Sequence, residues 1–124
     1  MIRIKPIKDP AFIVLSDTML NKAIIDANAG IRRFGLLFGV DFESMSPGDR
    51  AQIPAEFLDG TPTTLSFYKT RNRGDRRFSI RGIKKQAGAG DTVALTFRLN
   101  KGRTVLVINV TRNPEYAFVL EAAG

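Results

Sequence analysis

Apolar and polar residues alternate one by one along most of the second half of this chain, which is the period of a half-buried strand. Over 76–82, Phe78 and Ile80 fall on one side while Arg77, Ser79 and Arg81 fall on the other. Val93, Leu95, Phe97 and Leu99 alternate with Ala94, Thr96 and Arg98 in the same way, predicting a buried strand over 93–99. Asn100-Lys101-Gly102-Arg103 supplies hairpin chemistry before 104–110 (TVLVINV), a run apolar on both faces. Residues 52–58 and 63–70 read as further strands, and Pro54 assigns the first to an edge or a bulge. A last strand, 116–120, follows an Asn113-Pro114 turn.

The first half is less regular. Residues 11–15 (AFIVL) form a short β-branched run before Ser16-Asp17-Thr18, a strand leading into a capped helix or an ordered loop. Met19, Leu20, Ala23, Ile24 and Ala27 are spaced for one helix over 18–28, ended by Gly30, the alternative being an irregular arm. Residues 31–40 (IRRFGLLFGV) are strand-like, 41–45 look like one helical turn, and Ser46-Pro47-Gly48 and 88–91 mark turns. Many short strands with little helix predict a mainly β barrel or sandwich.

With 124 residues and 44% hydrophobic content, the chain fits one domain, 1–124, with a single core. It contains no Cys and no His, which removes disulfides, the usual zinc sites and every Ser-His or Cys-His catalytic arrangement. No cofactor and no metal are expected. No run approaches the roughly 18 apolar residues of a membrane span, so a soluble, cytoplasmic protein without a membrane partner is expected.

Charge changes the picture most. Residues 69–85 (KTRNRGDRRFSIRGIKK) hold eight Lys/Arg and one acid, Asp75, equal to the net charge of +7 of the whole chain. Such density must face water or a polyanion. Most of it lies where strands 63–70 and 76–82 are joined, and a projecting two-stranded ribbon fits the major groove of duplex DNA. Arginine can fork to guanine O6 and N7, lysine meets phosphate, and Asn72 can pair with adenine. Asp75 would hinder simple polyanion binding, so it points either to cytosine N4 or to orientation of Arg73, Arg76 or Arg77. The plainer alternative is a solvated face in which Asp75 lowers self-repulsion. Arg32 and Arg33, with Lys22, Asn21 and Asn28, form a second polar cluster able to clamp a duplex from another side, or else ordinary surface charge around a helix.

Residues 65–82, LSFYKTRNRGDRRFSIRG, resemble the strand, arm and strand of the amino-terminal effector-domain family of the EcoRII restriction endonuclease. The order downstream, Gly82-Ile83-Lys84-Lys85 and then Gly88 to Asp91 before a hydrophobic strand, agrees with it. The resemblance implies the fold shared with plant B-three domains: a mainly β, seven-stranded open pseudobarrel with one or two short helices. It also implies a two-armed grip on double-stranded DNA. The carboxyl-side arm is then Lys69, Arg71, Asn72, Arg73, Asp75, Arg76 and Arg77, continued by Arg81 on the basic face. Arg73, Asp75, Arg76 and Arg77 stand on base-reading positions, with Asp75 where the family has the longer Glu. The amino-side arm falls within 16–33, with Asn21, Lys22, Asn28, Arg32 and Arg33. The restriction-enzyme branch further implies a short CCWGG-type target, one copy of the domain per site, and regulation of a linked nuclease domain in a longer parent.

Three function classes remain in competition. The first is a non-catalytic, sequence-reading duplex DNA module, as an effector domain or a transcriptional regulator. The second is a nuclease, but no acid pair is followed by Glu-x-Lys or Gln-x-Lys; Asp41 with Glu43 and Glu56 with Asp59 read as turn caps or flanks. The third is a small basic barrel that binds RNA or a ribosomal partner. Phe67 and Phe78 are expected in the core, leaving Tyr68 as the loop-edge ring for base stacking.

Overall fold

The computed structural model describes residues 11–112. Its elements, in chain order, are β1 (Phe12–Val14), α1 (Asp17–Lys22), β2 (Ile25–Asp26), α2 (Ala29–Leu37), a 3-10 turn (Phe42–Ser44), β3 (Arg50–Phe57), β4 (Pro62–Lys69), β5 (Arg76–Ile80), α3 (Ile83–Gln86), β6 (Thr92–Asn100) and β7 (Arg103–Thr111). The strands form one seven-stranded sheet in the order β1, β6, β7, β3, β4, β5, β2. It curls into a half-barrel. The expected mainly β, open barrel-like architecture is therefore present, with three short α-helices rather than one or two.

All neighbouring strands are antiparallel except β3 and β7, which run parallel over Ala55–Phe57 against Leu106–Ile108. This pairing joins two hairpins. One is β3–β4, and the other is β6–β7, whose Lys101 and Gly102 both have positive φ (51° and 77°), the two-residue turn that matches strand twist. β7 lies between two strands, so Leu106, Val107 and Ile108 are all buried, as a run apolar on both faces requires. Phe67, Phe78, Leu65, Ile31, Leu15 and Val93 fill the concave side.

Three expectations are corrected. Residues 31–40 are not a strand, because α2 occupies Ala29–Leu37. Asn28 caps it by accepting from the Ile31 N–H at 2.9 Å, and Ile31, Phe34, Gly35 and Phe38 follow at helical spacing against the core. The end is a paired closure, Gly39 N–H to Leu36 and Val40 N–H to Gly35, which satisfies the last carbonyls.

The helix over 18–28 is half that length. Ser16 caps it through the Met19 N–H at 3.2 Å, and Ala23 ends it in the left-handed region (φ 54°). The chain then turns so that Ile25 can bury its side chain while pairing with Phe78. The third correction concerns 93–99. Val93 and Leu95 are buried, but Phe97 and Leu99 are 53% and 74% exposed, because the hairpin runs past the end of β1 and past the core.

Pro54 lies in an interior strand, yet just before the residues of β3 that pair with β7, so its missing N–H falls outside that ladder. The expected strand over 116–120 and the Asn113-Pro114 turn lie outside the described residues.

Candidate nucleic-acid interface

The connection between β4 and β5 is a short closed loop rather than a loose tip. Thr70 clasps it three ways: its N–H donates to the Asp75 carbonyl (3.0 Å), its carbonyl accepts from the Gly74 N–H (2.9 Å), and its Oγ1 accepts from the Asp75 N–H (2.8 Å). Gly74 makes this possible with a φ of 68°, a conformation that side-chain-bearing residues rarely adopt. The clasp leaves Arg71, Asn72 and Arg73 exposed at the apex. Among the described residues no ion pair engages Arg71 or Arg73.

At the base of the loop the arginines are held. Arg76 Nη1 donates to Glu43 Oε1 at 3.2 Å. Arg77 is gripped twice, by Asp26 Oδ1 at Nε (3.3 Å) and by Asp75 Oδ2 at Nη2 (3.2 Å). Asp75 is thus in contact with Arg77, one of the three arginines its position could orient. Arg32 Nη1 donates to the Ala27 carbonyl (2.7 Å), and the Ala27 N–H donates to the Arg76 carbonyl (2.9 Å). These contacts draw Asp26, Arg32, Asp75, Arg76 and Arg77 around one open polar cleft of about 370 Å³. Segments from both proposed arms thus meet, although β2 and the loop are remote in sequence.

The remaining candidates separate by what their side chains do. Lys69 Nζ donates to the Met45 carbonyl at 2.9 Å and so braces the 3-10 turn against the base of the loop. Asn28 uses both ends of its amide, accepting from Ile31 and donating to the Phe12 carbonyl (2.9 Å). Its role is a cap. Asn21 and Lys22 sit exposed on α1. Arg33 lines an apolar groove with Phe34, Leu37, Leu95 and Phe97, not the polar cleft. Arg81 lies beyond the far end of β5, about 16 Å from Arg76 by strand rise, and is not brought to the loop.

Phe67 and Phe78 are fully buried, as expected. Tyr68 is half-buried, and the Arg50 guanidinium covers its ring at 4.6 Å from the centroid. Of the acid pairs, Asp41 caps the 3-10 turn through the Glu43 N–H (3.0 Å), and Asp59 caps the β3–β4 turn through the Thr61 N–H (2.9 Å). That donation, with the Thr61 side chain, holds the Asp59 carboxyl below its ordinary value of 3.8. Glu56 pairs with Arg98 across the sheet.

Asp26 and Glu43 were not singled out from the sequence as part of this site. Asp26 has no local signal, since its partner is 51 positions away. Among the described residues no group of three or more His, Cys, Asp or Glu is placed to hold a metal, and no helix is long and apolar enough to cross a membrane. Comparison with known proteins gives no match to any family model, curated protein or solved structure.

Proposed function

We propose that this domain binds double-stranded DNA and reads a short sequence through the major groove, without catalysis of its own. The observation that carries this reading is the arrangement around Thr70: an exposed Arg71-Asn72-Arg73 apex beside a cleft in which Asp75 and Asp26 fix the Arg77 guanidinium. An apex of cations supplies affinity for phosphate, and a fixed guanidinium beside carboxylates supplies the mixed donors and acceptors of base edges. By its resemblance to the EcoRII effector domains, the target is a short CCWGG-type site bound by one copy, in a cytoplasmic protein that regulates a linked nuclease domain.

RNA binding is the second reading, and one observation favours it. Phe97 is 53% exposed on a hairpin that also carries Arg98, Lys101 and Arg103, a combination suited to base stacking. The arm itself offers no such ring, because Tyr68 lies under Arg50.

Selection from a random duplex pool, followed by competition with unlabelled duplex, single strand and RNA, tests both. A recovered consensus with duplex as the best competitor supports the proposal, and preference for single strand or RNA defeats it. With five or six phosphate contacts, log affinity should fall with log salt at a slope on the order of −5.

A further inference from the structure

Two exposed carboxylates outside the basic loop, Glu43 and Asp26, occupy two of the arginines proposed to read bases. Arg76 is 42% exposed and its partner Glu43 is 80% exposed, while Arg77 is 24% exposed and its partner Asp26 is 80% exposed. Ion pairs this open to water contribute little to folding. Their effect on a polyanion is larger. Counting Asp75 and Arg32, three carboxylates face three guanidiniums, so the cleft is locally neutral beside an apex, Arg71 and Arg73, of +2.

Phosphate oxygens only accept hydrogen bonds, and a neutral cleft whose guanidiniums are already paired attracts them weakly. A base edge both donates and accepts: guanine O6 and N7 take guanidinium N–H groups, while the amino groups of cytosine N4 and adenine N6 donate to carboxylate. A cleft of mixed charge therefore favours base edges over backbone, while the apex serves the backbone.

Resting on the duplex-binding reading above, we propose that Glu43 and Asp26 are specificity determinants. They keep Arg76 and Arg77 from being spent on random phosphate. Neither residue needs to touch DNA for this to operate, because an arginine already neutralised releases fewer counterions when it meets the backbone.

The test compares wild type with Glu43→Gln and Asp26→Asn on three probes: the selected duplex, a random duplex and immobilised heparin. Glu43→Gln, which releases Arg76, should bind random duplex roughly five- to tenfold more tightly at about 0.1 M salt, with a salt slope steeper by about 0.9. Asp26→Asn, which leaves Arg77 its pair with Asp75, should gain in the same direction but less. Each should also leave heparin at higher salt, while affinity for the selected duplex changes less, so that discrimination falls. Unchanged heparin elution and unchanged random-duplex affinity in both variants overturn the proposal. So does an equal gain on both duplexes. Failure of the wild type to prefer any duplex defeats the DNA reading instead, and the heparin comparison still decides whether these acids shield the arginines. Unchanged thermal midpoints establish that the variants are folded.

Discussion

Arg77 Nε meets the Asp26 carboxylate at 3.3 Å across 51 positions of sequence, joining the second strand to the basic loop. The same guanidinium reaches Asp75 through Nη2, so one side chain ties two chain segments into a single surface. Lysine has no such fork, and it cannot hold two carboxylates in one plane.

Arg77→Ala should therefore cost about 1–3 kcal/mol on the preferred duplex and relax base preference at one position, with a smaller loss on random duplex. Arg77→Lys should restore charge and salt dependence but not base preference. Titration of matched and single-mismatch duplexes checks both. Equal losses on matched and random duplex would mean that Arg77 meets phosphate alone.

Asn28→Ala removes the cap of α2 and the tie to the Phe12 carbonyl together. The expected loss is about 1 kcal/mol or somewhat more in denaturant unfolding, with base preference unchanged. A change in base preference without a loss of stability would reverse this assignment and return Asn28 to the interface.

Gly35 tests the packing of that helix on the sheet. A β-carbon there would lie 3.5 Å from the Val40 carbonyl oxygen and 3.6 Å from ring carbons of Phe67, which is ordinary contact. Gly35→Ala should thus stabilise the fold by about 0.5–1 kcal/mol through helix propensity. Gly35→Val, pressing branched methyls on the ring, should destabilise it by about 1–3 kcal/mol. Thermal melts of the pair should move in opposite directions.

Asp59 gives the pH dependence. Thr61 lowers its carboxyl in the folded state, so the unfolded chain takes up its proton first as pH falls. The stabilisation is fully present above the ordinary value of 3.8 and is lost as pH drops through the lower folded value. The difference in thermal midpoint between wild type and Asp59→Ala should be constant near neutrality and shrink below pH 4. A constant difference down to pH 2 would contradict it.

Strands were legible: β5 and β6, with a clean two-residue period, and β4 and β7, read as strand-like runs, lie within a residue or two of where the sequence put them. Residues 31–40 misled because Ile, Phe, Leu and Val suit strands as well as helices. The deciding signals were the Asn28 cap and the Gly39 ending, which local composition obscured. The loop of the candidate site could be read because its charges are contiguous, and so could the core placement of Phe67 and Phe78. Asp26 and Glu43 could not. Their partners reach them only through strand pairing and the docking of a 3-10 turn, and neither leaves a mark at short range. Exposure of Phe97 was hidden for a related reason: alternation gives a strand's inner face but not where the core beneath it ends.

The two outermost strands of the sheet, β1 and β2, are joined to each other directly by residues 15–24. Each is held to its neighbour by a very short ladder, three positions for β1 and two for β2. The helix between them works as a hasp across the mouth of the half-barrel: detaching either margin slackens the other. Cutting the chain at Ala23 would loosen both lips at once and, with β2, release Asp26 from the arginine it steadies.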